Sequence, residues 1–231
     1  MSAFHQPIIK GLLLAIFSLF FVSISQAAVN PSIQNPDDLV HEATTKMIRS
    51  INENRAAIKK SPDKLKSLVE EIILPHLDFI SASKAVMGKY WRRAKKPQKI
   101  QFIRQFRLLL LRFYSSALAE YLNGNDKKLS EDLIRYFPIK VKNGEKAITV
   151  RAEIQSDTGP AIPMRYRMNL TKKGWKIYDV SVEGVSMITT YKNNFATQFK
   201  SQGIDSVIAS LVEKNQQMLA DNGKSANDKQ N

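Results

Sequence analysis

The chain has 231 residues, 35 Lys and Arg against 21 Asp and Glu, a formal charge of +14 and no cysteine. Without cysteine there is neither a disulfide framework nor a lipid-modified cysteine at a processed N-terminus. So large a positive excess draws a protein to anionic partners: nucleic acid, phospholipid surfaces or acidic patches on other proteins.

Residues 1–27 have the layout of an export signal: Lys10, an apolar run from Gly11 to Val22, then Ser25-Gln26-Ala27 as a small-x-small cleavage site. The run falls short of the roughly 20 apolar residues that cross a bilayer, and no second candidate follows it. The expected product begins at Ala28 and is exported and soluble, and export argues against nucleic acid as the partner. Residues 28–219 are expected to form one domain, and residues 220–231, "ADNGKSANDKQN", a disordered polar tail.

Helical signals come first in the exported part. Asn35-Pro36 is a cap followed by proline in the first turn, and Leu39, Met47, Ile48 and Ile51 continue an apolar face to about Lys59. Ser61-Pro62 repeats the start signal for a second helix, with Leu65, Leu68, Val69, Ile72 and Ile73, ending near Pro75. A third covers residues 79–88. The fourth, from about Pro97 to Leu122, is the longest and most apolar, with Phe102, Phe106, Leu109, Leu110, Phe113 and Ala117 in one stripe. Ile103, Leu111, Leu118 and Leu122 thicken that stripe, so this helix is expected to lie between two apolar neighbours. From Lys84 to Ala119 the chain carries many cations, Lys89, Arg92, Arg93, Lys95 and Lys96 among them, and no acidic residue.

From Leu133 onward the period is two. Ile139 and Val141 precede an Asn-Gly turn in "KNGEK"; Ile148, Val150, Ala152 and Ile154 then alternate with polar residues, as do Met164, Tyr166, Met168 and Leu170. "TKKGW" turns the chain into a last strand whose apolar parity switches between Ile177 and Tyr178. A β-bulge there would return the residues to one face and curl the sheet; a helix or ligand covering both sides is the other explanation. Ser186 or Thr189 can cap a helix carrying Ile188, Tyr191, Phe195 and Phe199; Gly203 stops it, and Asp205 opens a final one. Helices, then about four antiparallel strands, then helices make an α+β chain, with helices packed on a highly twisted sheet.

Catalytic signals are sparse. His41 and His76, the histidines outside the signal, are not at metal-ligand spacing, there is no His-Glu-x-x-His motif and no phosphate-cradling glycine loop. Asp179 lies between Tyr178 and Val180 in an apolar strand. It could act as the general base of a small-molecule pocket enzyme if burial raised its pKa. The favoured alternative is that it faces water or pairs with Arg165 or Arg167 on the neighbouring strand.

"MGKYWRRA" with Gln98, Phe102 and Phe106, then "YDVSVEGVSMITTYKNNF", then "GIDSVI" from Gly203 closely resemble the MlaC family, also called toluene-tolerance auxiliary proteins. The likeness spans roughly Pro36 to Leu219. It departs at Ala94-Lys95-Lys96-Pro97, where the family usually has Ala-Thr-Pro; a threonine cap is lost and the proline is moved by one. The resemblance implies a periplasmic, non-enzymatic carrier with no metal or nucleotide cofactor. Such a carrier moves glycerophospholipids between an outer-membrane lipoprotein-porin complex and an inner-membrane ABC transport complex with its substrate-binding subunit, and so maintains outer-membrane lipid asymmetry.

Given that function, the apolar pocket between helices and sheet is expected to be lined by Phe106, Leu109, Leu110 and Phe113 of the long helix. Val150, Ala152, Met164, Tyr166, Met168, Tyr178, Val180 and Val182 are expected to line it from the sheet. Methionines and aromatics suit a wall that must fit varied chains. Lys89, Arg92, Arg93, Lys95 and Lys96 are the candidate docking residues for anionic partner or lipid surfaces.

Overall fold

The computed structural model describes residues 34–156 and 159–227. The expected export signal and cleavage site, and residues 228–231, lie outside the described residues. Helix α1 (Pro36–Glu53) starts on Pro36 and places Asp37 and Asp38 in its first turn, where carboxylates complement the positive helix end. The helix expected to reach Lys59 ends at Glu53. It breaks at Asn54, whose side-chain amide donates to the Ser50 carbonyl at 2.8 Å and whose backbone leaves helical geometry, so α2 (Arg55–Lys60) is a separate short helix.

Helix α3 (Pro62–Ile72) is followed by a single 3₁₀ turn, Leu74–His76, and by α4 (Phe79–Met87). Asp78 caps α4, accepting the Ser81 N–H at 2.9 Å. Helix α5 (Lys89–Arg93) leads to the long α6 (Lys96–Gly124). The missing threonine cap of α6 is replaced from within: Gln98 accepts the Lys95 N–H at 2.8 Å and donates to Asp205 at 2.7 Å.

Five antiparallel strands follow in sequential order: β1 (Ile134–Phe137), β2 (Ala147–Ile154), β3 (Ile162–Thr171), β4 (Gly174–Val182) and β5 (Val185–Ser186). The first strand lies upstream of Ile139 and Val141, where the Asn-Gly signal had placed it. Pro138 has no N–H to give the ladder. The Ile139 N–H goes to Asp37 of α1, at 3.3 Å, instead of to β2.

The switch in parity along β4 is a bulge. Arg167 pairs with Asp179 but the next residue, Met168, pairs with Ile177, which leaves Tyr178 as the extra residue. Trp175, Ile177, Val180 and Val182 therefore face the same side as Leu170, Met168, Tyr166 and Met164. The outer edge of β4 is also covered: β5 pairs with Ser181 and Val182, and farther back Leu77 bridges to Ile177 while Asp78 N–H donates to its carbonyl at 2.7 Å.

Helix α7 (Met187–Asn227) is two helices in effect, because Gly203 has φ 82° and ψ 176°. An L side chain rarely adopts that conformation, and here the glycine lets Asp205 open a new first turn. The helix continues past Leu219 into the polar segment read as a tail.

The interior is divided. One apolar cluster joins α4, α6 and α7 through Phe102, Phe106, Phe195 and Phe199. A second lies on the sheet face, where Val150, Tyr166, Met168 and Ile177 meet Leu39 and Val40 of α1. A third joins α1, α2 and α3 to the far end of α6 through Ile51, Ile58, Leu65 and Leu122.

Candidate functional site

Two adjoining apolar cavities lie between these clusters. The first, about 70 Å³, is bounded by β4 at Ile177, Tyr178 and Val180, by Phe79 and Ala82 of α4, by Phe106 and Leu110 of α6, and by Met187, Ile188 and Tyr191 of α7. The second, about 240 Å³, runs under α6 and α3 and is lined by Met47, Val69, Ile73, Leu111, Tyr114, Ser115 and Leu118. Leu77, Phe79, Leu110 and Met187 line both.

The carboxylates in these walls are already bound. Asp78 caps α4. The Asp179 side chain is fully buried and accepts Arg167 Nε and Nη2 at 2.9 and 2.6 Å, the Ser186 hydroxyl at 2.7 Å and the Ile188 N–H at 3.0 Å. Ser186 Oγ in turn accepts the Thr189 N–H at 3.0 Å, so Ser186 and Asp179 together cap α7. Of the two readings of Asp179, its geometry is that of the ion pair, with Arg167 and not Arg165 as partner. Burial pushes the Tyr191 hydroxyl above its usual range, and neighbouring Tyr114 adds to the effect, so the ring stays neutral in the wall. Among the described residues no group of three or more acidic or histidine side chains is placed to hold a metal ion.

The expected lining residues separate into groups. Phe106, Leu110, Tyr178 and Val180 line the first cavity, and Leu110 borders both. Val150, Ala152, Met164, Tyr166 and Met168 belong to the sheet cluster on α1 and border neither. Leu109 faces a groove against Tyr191, Phe195 and Leu211. Phe113, 49% exposed, and Val182, 37% exposed, border neither cavity.

Phe113 lies outward because α6 changes the face it buries. Phe102, Phe106 and Leu109 pack on α4 and α7, and then Leu111, Ser115, Ala119 and Leu122 are the buried positions, toward α3. Leu77, Phe79 and Met187 were not singled out from the sequence. They lie at the ends of short connections, where neither helical nor strand period marks a face. The flanking Asp78 cap and Ser186 cap are the signals that could have located them. Lys89, Arg92, Arg93, Lys95 and Lys96 are all exposed, on α5 and the start of α6. Lys89 and Arg93 lie over the Tyr90 ring at 5.4 and 6.0 Å.

The profile described as MlaC protein matches residues 41–213. The toluene tolerance protein ttg2D of Pseudomonas putida is 28% identical over 173 residues, 74% of this chain and 76% of that protein. The intermembrane phospholipid transport system binding protein MlaC of Haemophilus influenzae is 27% identical over 188 residues, 80% of this chain and 84% of that one. Among solved structures, the phospholipid-binding protein of Ralstonia solanacearum, in complex with a phospholipid at 1.53 Å, superposes with a TM-score of 0.68 at 26% identity. That match covers 80% of this chain and 99% of the other.

Proposed function

The chain belongs to the MlaC protein family, and from that premise we propose that it is a soluble periplasmic carrier that holds the acyl chains of one glycerophospholipid between β4, α4, α6 and α7. It takes and delivers that lipid at an outer-membrane lipoprotein-porin complex and at the substrate-binding subunit of an inner-membrane ABC transport complex. The observation that supports this most directly is the pair of apolar cavities that share Leu77, Phe79, Leu110 and Met187 and whose carboxylates are already engaged. Such walls offer hydrocarbon an environment like a bilayer interior and leave no unbound carboxylate to act on it.

The free energies favour a carrier. A two-chain phospholipid has on the order of 30 methylenes, and exposing them to water costs roughly 20 kcal/mol or more at about 0.8 kcal/mol each. Transfer from bilayer to apolar cavity is nearly neutral, so loading is reversible and direction is set by the docking partners. An apolar cavity of about 150 Å³ admits a benzene-sized ligand. The larger cavity, 240 Å³, therefore receives part of one chain as it stands. Full loading moves the helices away from the β4 edge. The division of the core into three clusters provides the seam along which they part.

Arg93, Lys95 and Lys96, with Lys89 and Arg92, steer the carrier toward anionic surfaces, so raised salt slows the encounter more than it weakens chain binding. Among the described residues no helix is long and apolar enough to cross a membrane. Native mass spectrometry of protein released from the periplasm tests the reading: one bound phospholipid per chain is the expected mass, and a chain recovered without lipid overturns it.

A further inference from the structure

An open groove of about 560 Å³ between α4, α5 and the β3–β4 pair shares one wall residue, Tyr178, with the first cavity. Three cations line the groove, Lys84 of α4 and Lys89 and Arg92 of α5, together with the neutral polar groups of Ser81 and Asn169 and with no carboxylate. Lys89 and Arg92, three residues apart, lie on one face of α5. Arg49, Lys59, Arg135 and Arg167 each pair with a carboxylate; among the described residues Lys84, Lys89 and Arg92 do not. Three cations gathered in one groove without an anion repel one another, an arrangement that a bound anion would relieve.

We propose that this groove is a phosphate site, and that the phosphate it takes is the phosphodiester of the carried lipid. Lys84 and Lys89 supply point charges, Arg92 a planar fork that matches two phosphate oxygens, and Ser81 and Asn169 neutral donors. Tyr178 is the threshold: the acyl chains lie on its cavity side and the headgroup on its groove side. The bulge leaves Tyr178 as the residue of β4 without a partner on β3, and its side chain lines both spaces. The inference rests on the carrier reading and adds recognition of the headgroup to it.

The purified full-length protein is loaded from vesicles containing phosphatidylglycerol and diacylglycerol with identical acyl chains, reisolated, and its lipid quantified by mass spectrometry. The wild type retains phosphatidylglycerol over diacylglycerol by about tenfold, the effect of one or two charge-assisted hydrogen bonds. The triple variant Lys84→Gln, Lys89→Gln, Arg92→Gln loses that preference. Lys140→Gln, Lys142→Gln, Lys146→Gln, an equal loss of charge on the exposed connection between β1 and β2, keeps it. Wild type that holds both lipids equally overturns the headgroup site and leaves the acyl-chain reading standing. Wild type that holds neither overturns both. Titration of the lipid-loaded protein with inorganic phosphate distinguishes the sources: no saturable binding is expected, and binding that the groove variant abolishes would assign the groove to free phosphate and overturn the headgroup assignment.

Discussion

Arg167 and Asp179 face one another across β3 and β4 at the last regular pair before the bulge, joined by two hydrogen bonds of 2.9 and 2.6 Å to the same carboxylate oxygen. That carboxylate also holds Ser186 and the N–H of Ile188. One buried anion thus ties β3, β4 and the start of α7 together beside the first cavity. Asp179→Ala leaves a guanidinium, a hydroxyl and a helix N–H without their acceptor and should cost about 2–4 kcal/mol. Arg167→Ala should cost less, because the Arg167 side chain is 42% exposed and the carboxylate keeps its other donors. Urea unfolding of both variants measures this, and an Asp179→Ala protein as stable as wild type would remove the anion from its structural role.

Cavity wall and sheet core should respond to mutation in opposite ways. Leu110 borders both cavities, so Leu110→Trp fills space that the acyl chains need; the chain should fold with little change in melting temperature but be recovered largely without lipid. Val150 is wholly buried in the sheet cluster, away from both cavities. Val150→Ala should cost about 2 kcal/mol and leave lipid content unchanged. Lipid per folded chain, set beside unfolding free energy, separates the two; an empty Val150→Ala protein would move the acyl site onto the sheet face.

What could be read in advance was local. The parity switch at Ile177 and Tyr178 betrayed the bulge, because strand period is a property of adjacent residues. Asn35-Pro36, Ser61-Pro62 and Gly203 marked helix ends for the same reason. What escaped depends on distant partners. Asp37 claims the Ile139 N–H, which shifts the first strand upstream. The long α6 turns one face to α7 and another to α3, which leaves Phe113 in solvent although it continues the stripe of Phe102, Phe106 and Leu109. The register of β3 on β4 up to the bulge decides that Asp179 meets Arg167 and not Arg165. Leu77 became a cavity residue only because the turn before α4 docks on the edge of β4.

Between β4 and β5 the chain reverses in two residues, Glu183 with φ 50° and Gly184 with φ 82°. Positive φ at both central positions is the type I′ requirement, which favours Asn-Gly; glutamate at the first position is strained by its Cβ. Glu183→Asn should stabilise the chain by about 0.5–1 kcal/mol and raise Tm by roughly 1–4 °C. A melting temperature that falls would mean that the glutamate side chain contributes more than its backbone strain costs.

His76 lies in the turn that carries Leu77 to β4, with Nδ1 buried and without a partner among the described residues. Burial holds its pKa below the ordinary value; Lys176 and, more weakly, Lys46 push the same way, and Glu42 opposes them. Lys176 approaches from β4, its ammonium donating to the Pro75 carbonyl at 2.5 Å. Above the unfolded value of about 6.5 the imidazole is neutral in both states and contributes nothing to pH dependence. As pH falls below that, the unfolded chain takes up a proton that the folded chain refuses, so stability is lost on acidification. The loss ends once pH has fallen through the lowered folded pKa. Urea unfolding at pH 7.5 and pH 5 should therefore show a larger drop for wild type than for His76→Gln, His41 being common to both. Equal drops would acquit His76 and place the acid sensitivity elsewhere.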